Sequence, residues 1–297
     1  MELRHLRYFV AVAEELHFGR AAQRLGIKQP PLSQQIRALE DDLGVALLDR
    51  SSRRVRLTPA GETLLPAARQ VLASAQAARQ TTRNAGRGET GGLVVGFVGS
   101  ATLTLLPLAL RRFRDRYPRV VLTLREMATA EQVRALRDGV LDVGLLRPPL
   151  PLGDTETINV ESVGAERLLV VLPAGHPLAA ERSIAAERLA AEPFVLFPRE
   201  LGAGLHDQIL SYCNEVGFTP TIAQEAVQMQ TIVALVAGGL GISMVPSSVA
   251  LQRRPDVVYR QLRPATRIVH LAAAHRRDNL NPAARNFLAI TQELGQQ

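Results

Sequence analysis

A break in periodicity at one glycine-rich segment constrains this chain more than any other feature. Before "GRGETGG" (residues 86–92) apolar residues recur mostly at helical spacing. After it, short apolar runs alternate with helical stretches. "LVVGFV" reads as a buried strand, "LLPLALRRFRDRYP" as a helix, "VVLTLREM" as a strand, "TAEQVRALRDG" as a helix and "VLDVGLL" as a strand. A similar alternation returns in "ERLLVVLPAG", "PFVLFP", "LHDQILSYCNEVGF", "TIVALVAGG" and "LGISMVP". Alternating strands and helices build a parallel sheet with helices on its faces, because parallel neighbours need a crossover between them. The expected fold class is α/β, with two lobes after the hinge. The chain should cross between them near residues 161–166 and again near 264–270.

Ahead of the hinge, Leu6, Phe9, Val10 and Ala13 predict a short amphipathic helix. A second follows in "GRAAQRLGI", where Ala21, Ala22 and Leu25 permit close packing and Gly26 ends it. In "KQPPLSQQIRALEDDLG" the prolines suit a first helical turn, whose N–H groups have no intrahelical acceptor anyway. Leu32, Ile36, Leu39 and Leu43 then share one side, within about 40° on a helical wheel, while Pro30, Ser33, Gln34 and Arg37 face the other. Two helices joined by a tight turn match a helix-turn-helix, whose second helix enters the DNA major groove. Gln pairs with adenine, Arg with guanine, and Ser with bases or phosphates. "LLDRSSRRVRLTPAG" then reads as a two-stranded wing, with Arg50, Arg53, Arg54 and Arg56 available to phosphates. Thr58 can cap a long helix begun by Pro59, in which Leu65, Ala68, Leu72, Ala75 and Arg79 form a seam suited to a partner helix. Pro66 should bend that helix near its second turn.

Charge supports a polyanion partner for this region. Residues 1–90 hold 14 Lys+Arg against 9 Asp+Glu, whereas the other 207 residues hold 21 against 19. Other classes find little support. There is no P-loop and no G-x-S-x-G, and the six histidines lack metal-ligand spacing, so neither an enzyme nor a metal or cofactor site is expected. No run of about eighteen apolar residues exists. The N-terminal segment carries acids and no cleavage site, which points to the cytoplasm and away from a membrane. The single cysteine, Cys213, is expected to be a buried or idle thiol. A two-lobed solute-binding or small-molecule enzyme domain without DNA regulation is the competing reading; it leaves the basic first ninety residues without a purpose.

The pattern "FGRAAQRLGIKQPPLSQQIRALEDDLGVALLDR" followed by "RVRLTPAG" resembles the LysR-type transcriptional regulators over about sixty residues. The resemblance implies a winged helix-turn-helix (residues 1–58), a dimerising linker helix (59–86) and a periplasmic-binding-protein-like effector domain (87–297). Lobe I would span about 91–162 and 268–297, and lobe II about 163–267. It also implies operator DNA, RNA polymerase and a homodimer or homotetramer as partners. Carried onto this chain, Gln29, Pro30, Ser33, Gln34 and Arg37 would face DNA, with Arg50, Arg53 and Arg54 on phosphates or in the wing groove. Gly19 stands where family members often carry Ser or Thr, so that helix start lacks the usual capping hydroxyl.

In the second part, Ser100, Thr129 and Arg147 each follow a strand. A hydroxyl near free N–H groups can hold an anion, and an arginine can take a carboxylate bidentately. Thr129 with Gln132 also reads as a capping box. "VVGFVGS", "EMAT" and "LDVGLLR" resemble the subgroup that controls catabolism of aromatic compounds, whose members act as activators responding to muconate or aromatic acids. That resemblance implies Ser100, Thr129 and Arg147 as anion-holding residues, with Leu205, Gln228 and Met229 lining the pocket from the other lobe. Leu205 replaces an aromatic residue and Gln228 an acid, so a wider, less acidic pocket follows.

Overall fold

The computed structural model describes residues 1–49, 55–150, 153–278 and 281–296. The chain forms two compact units, Met1–Asn84 and Ala85–Gln297.

In the first unit, α1 (Leu3–Glu15), α2 (Phe18–Leu25) and α3 (Gln29–Leu43) precede the two-residue strands β1 (Leu48–Asp49) and β2 (Arg56–Leu57). Helix α4 (Pro59–Gly86) then carries the chain out of the unit. Gly26 closes α2 with φ +70, a left-handed backbone favourable to glycine, and its N–H returns to Ala22 and Gln23. Pro30 and Pro31 lie in the first turn of α3, where their missing N–H groups break no helical bond. Leu32, Ile36 and Leu39 are fully buried against Phe9, Val12, Ala21 and Ala22. Leu43, the fourth member of that stripe, is 37% exposed because Gly44 ends the helix there.

The linker seam is shared with this core. Ala68 is buried in it and Leu65 and Leu72 pack against it, so the first half of the seam is covered within the chain. Arg79 stays exposed. Helix α4 continues through Pro66. Its start is capped as expected: Thr58 Oγ1 accepts from Gly61 N at 3.1 Å and donates to Ala46 O at 2.7 Å.

The second unit is built on an eight-stranded sheet and a separate two-stranded pair. Its strands are β3 (Gly91–Phe97), β4 (Val120–Glu126), β5 (Val143–Leu146), β6 (Ile158–Pro173) and β7 (Ser183–Ala185). Later come β8 (Pro193–Leu196), β9 (Thr221–Glu225), β10 (Ser243–Pro246), β11 (Val257–Arg263) and β12 (Ile268–Arg276). Neighbours run β4-β3-β5-β12-β6-β11-β7, β10 also pairs with β6, and β8 and β9 pair separately. The interleaved helices are α5 (Leu105–Arg116), α6 (Thr129–Arg137), the single turn α7 (Asp154–Thr157), α8 (Ala203–Glu215), α9 (Met229–Ala237) and α10 (Pro282–Gly295).

Strands β3, β4 and β5 are mutually parallel, as the alternation requires. The lobes share the sixteen-residue strand β6. Up to Arg167 it pairs with β12, and from Leu168 to Pro173 with β10 and β11. The chain returns through residues 264–267, where Thr266 Oγ1 accepts from Leu168 N at 3.0 Å. The apolar centre of one lobe gathers Phe113 and Phe287, edge to face at 5.5 Å, under β3 and β5. The other gathers Phe194, Ile209, Cys213, Ile232 and Val236. Burial there pushes the Cys213 thiol up to about 11, which makes it inert at neutral pH.

One expected local feature is corrected. Thr129 and Gln132 do not form a capping box. Ala128 is the N-cap, and its N–H donates to Glu131 at 2.9 Å, one residue earlier than expected. Gln132 is fully buried and donates to Met127 O and Leu145 O, fastening α6 to β5.

Candidate functional site

In the first unit, the face of α3 opposite its buried stripe carries Gln29, Pro30, Gln34 and Arg37 exposed, with Ser33 half-buried. Gln35 is held aside by His5, whose Nε2 lies 3.1 Å from its Oε1. Among the described residues, Gln34 and Arg37 have no side-chain partner, which leaves their donors available to an incoming surface. The acidic end of α3 serves the fold. Glu40 Oε1 accepts from Leu47 N and Leu48 N at 2.9 and 3.1 Å, and Asp42 takes the N-terminal ammonium at 2.7 Å. That ammonium holds the Asp42 carboxyl below its ordinary range.

The ribbon expected as a wing is present in its base: Leu48 pairs with Leu57 and Asp49 with Arg56, antiparallel. Arg50, Arg53 and Arg54 lie outside the described residues. A hollow between the start of α2, the start of α3 and β2 is bordered by His17, Arg20, Gln29 and Arg56. His17 supplies what Gly19 lacks. Its Nδ1 accepts from Arg20 N at 3.2 Å, and its ring stands 3.0 Å from where a β-carbon on residue 19 would sit. "HFG" contained that signal: a ring acceptor at the N-cap paired with a residue having no side chain.

In the second unit, a small cavity of about 70 Å³ opens past the C-terminal ends of β3, β4 and β5, facing the residues after β8 and β9. Ser100, Thr129, Arg147, Leu205, Gln228 and Met229 all line it. Helices follow these strand ends, so side chains from five separate segments meet at one edge of the sheet. Arg147 is 4% exposed. Its N–H donates to Thr129 Oγ1 at 3.2 Å, and its Nη2 donates to Ser100 Oγ at 3.1 Å. Thr129 and Ser100 therefore hold the arginine in place from both sides.

Sequence reasoning missed Glu166, which accepts from the same Nη2 at 2.6 Å. The ion pair is internal, not superficial. Glu166 Oε2 also accepts from Ser248 N at 2.7 Å, joining the arginine to the turn after β10. Burial alone would raise the Glu166 pKa; the Arg147 charge and the Ser248 N–H together outweigh it and hold the carboxyl below its ordinary value. A carboxylate inside the apolar run "VGAERLLVV" was the available signal. Arg147 still keeps Nε and Nη1 buried and without a partner. Most of the remaining lining is apolar, from Val98, Met127, Phe197, Leu201, Val227 and Met229.

Family models agree with both halves. Residues 3–62 match the bacterial regulatory helix-turn-helix protein, lysR family, and residues 86–296 match the LysR substrate binding domain. The chain belongs to the LysR family of transcriptional regulators. It is 41% identical to the HTH-type transcriptional regulator AlsR of Bacillus subtilis (strain 168), over 98% of this chain and 95% of that one. It is 39% identical to the Hca operon transcriptional activator HcaR of Escherichia coli (strain K12), over 99% and 98% of the two chains. Among solved structures it resembles full-length CbnR complexed with its target DNA, at TM-score 0.78 and 32% identity, covering 99% of this chain and all of that one. As a member of this LysR family the protein is a DNA-binding transcriptional regulator with an effector-binding domain, not an enzyme. Among the described residues, no helix is long and apolar enough to cross a membrane.

Proposed function

We propose that this regulator answers a small carboxylate, either muconate-like or an aromatic acid, bound between the lobes on Ser100, Thr129 and Arg147. The observation that carries the reading is the pair of buried, unpartnered donors on Arg147 in an otherwise apolar cavity. Buried donors without acceptors are costly, and a carboxylate oxygen can satisfy one of them; Nε and Nη1 lie on different edges of the guanidinium, so one carboxylate does not take both. Leu205, Gln228 and Met229 would contact the rest of the molecule. The resemblance to activators such as HcaR supports activation as the output.

On the DNA side, Gln29, Pro30, Ser33, Gln34 and Arg37 would read the operator, with Arg50, Arg53 and Arg54 on the phosphates. A homodimer would present two such surfaces to two half-sites, and two dimers would form a homotetramer in the cytoplasm. Ligand would act through unequal affinity for the states of that assembly, changing access for RNA polymerase.

Thermal-shift titration with muconate, chlorinated muconates, benzoate, salicylate and unrelated dicarboxylates tests the ligand class. A binder raises the melting temperature in proportion to RT ln(1 + [L]/Kd). The rise should vanish in an Arg147→Ala/Glu166→Gln double variant, which avoids leaving a buried carboxylate uncompensated. A shift unchanged in that variant would overturn the clamp.

A further inference from the structure

Gly99 and Gln228 line the same cavity, and the exposed side chains of Glu126 and Gln230 stand beside them. Gly99 lies past the end of β3, immediately before Ser100. At the point where a β-carbon on Gly99 would stand, three side-chain oxygens converge: Glu126 Oε1 at 2.7 Å, Gln228 Oε1 at 3.1 Å and Gln230 Oε1 at 3.6 Å. Glu126 ends β4 beside β3, while Gln228 stands at the N-cap position of α9 without a side-chain capping bond and Gln230 sits in its first turn. One lobe thus supplies the carboxylate and the other the two amides. Among the described residues, none of these three side chains has a hydrogen-bond or ion-pair partner.

The three atoms nearest that point are all acceptor oxygens, although the two amides also carry N–H donors on their other ends. An ammonium group brings three N–H donors and a positive charge, which suits one carboxylate and two amide oxygens; a hydroxyl brings one donor and no charge. A second carboxylate placed there would instead face Glu126 with like charge. The anion end lies next door, because consecutive α-carbons are about 3.8 Å apart and Ser100 holds Arg147. The two polar groups are therefore organised by consecutive residues, Gly99 and Ser100. Phe197, Leu205, Val227 and Met229 make the remaining wall apolar.

We propose that the effector is an α-amino acid with an apolar side chain, its carboxylate on Arg147 and Ser100 and its ammonium over Gly99, held by Glu126, Gln228 and Gln230. This rests on the carboxylate clamp above and puts a zwitterion in place of the muconate-like or aromatic acid. It also gives residue 99 a reason to be glycine, since any β-carbon would occupy the ammonium's place.

Calorimetric titration of the full chain with four probes separates the claims: leucine, its deaminated counterpart 4-methylpentanoate, the corresponding 2-hydroxy acid, and muconate. Leucine should bind at least about tenfold more tightly than 4-methylpentanoate, with the hydroxy acid between them. In Glu126→Gln that ratio should fall toward one through loss of leucine affinity, with 4-methylpentanoate unchanged. Gly99→Ala should abolish the advantage of leucine as well. Equal affinity for leucine and 4-methylpentanoate, or binding of muconate alone, would overturn the ammonium site and leave the carboxylate clamp standing. Glu126 would then serve only to offset the partial positive charge at the start of α9. Binding of none of the four would overturn the ammonium site and the muconate reading, and leave the aromatic-acid reading to the benzoate and salicylate titrations above.

Discussion

Glu166 accepts from Arg147 Nη2 at 2.6 Å, yet the pairing leaves Nε and Nη1 of the same guanidinium buried and unsatisfied. The two residues stand on different strands of the shared sheet, one directly after β5 and the other on β6 close to the lobe crossing. The pair therefore fixes the arginine without saturating it. Nε and Nη1 are the two donors that Glu166 leaves open to the carboxylate proposed above.

Removing one partner of this pair should be felt strongly. Arg147→Ala leaves the Glu166 carboxylate in a mostly buried position with only Ser247 and Ser248 as donors. A loss of about 3 kcal/mol in the stability of the second unit is expected, the usual cost of stranding one member of a buried pair. Urea unfolding followed by circular dichroism reads it, and a loss near zero would mean the site relaxes around the vacancy.

The pH dependence follows from the lowered Glu166 pKa. A carboxyl whose folded pKa lies below its unfolded value stabilises the fold at pH above the ordinary carboxylate range, and that contribution disappears as pH falls through the folded value. Below about pH 4.5 the wild type should lose stability more steeply than Glu166→Gln, which has no charge to lose. Parallel acid-unfolding curves for the two proteins would contradict this assignment.

The legible parts of the molecule are those set by neighbours in sequence. Leu32, Ile36 and Leu39 announced their shared face through spacing, and Pro30 and Pro31 announced the start of α3. Ser100, Thr129 and Arg147 could be found because each ends a strand in an alternating pattern, and parallel strands bring those ends to one edge. Glu166 could not be found this way. Its meaning depends on Arg147, nineteen residues back, and on Ser248, eighty-two residues on. The convergence over Gly99 was hidden for the same reason, since residues 126 and 228–230 meet only once both lobes exist. The Thr129–Gln132 box was a register error of one: Ala128 with Glu131 sits one position earlier, and a buried Gln132 was available to be misread as a cap.

Gly61 is a second close approach in the DNA-binding unit. A β-carbon there would lie 2.2 Å from Leu47 O and 2.9 Å from Leu57, so backbone would have to move. Gly61→Ala should destabilise the first unit by about 2 kcal/mol, the range for overpacked sites. Differential scanning calorimetry of the full chain would show the effect in the transition of that unit, and an unchanged profile would mean α4 can shift at no cost.

Glu40 ties the end of α3 to the wing through two backbone N–H groups. Glu40→Ala leaves Leu47 N and Leu48 N without those acceptors, costing about 1–3 kcal/mol. Because the ribbon base at β1 and β2 hangs on this connection, affinity for all DNA sequences should fall together. Loss confined to the best sequence would place Glu40 among base-reading residues instead.

Arg37 offers the opposite test on the same helix. Its exposed guanidinium, without a protein partner among the described residues, stands on the face of α3 away from Leu32, Ile36 and Leu39. If it reads a base edge, Arg37→Ala should weaken binding to DNA selected from a random library by about 1–3 kcal/mol and relax preference at one position. Binding to unrelated DNA should change far less, because the proposed phosphate contacts belong to other arginines. Fluorescence anisotropy on both DNAs over a range of salt separates these terms. A uniform loss with a salt slope reduced by about one would make Arg37 a phosphate contact, and the sequence reading would then rest on Gln29, Ser33 and Gln34.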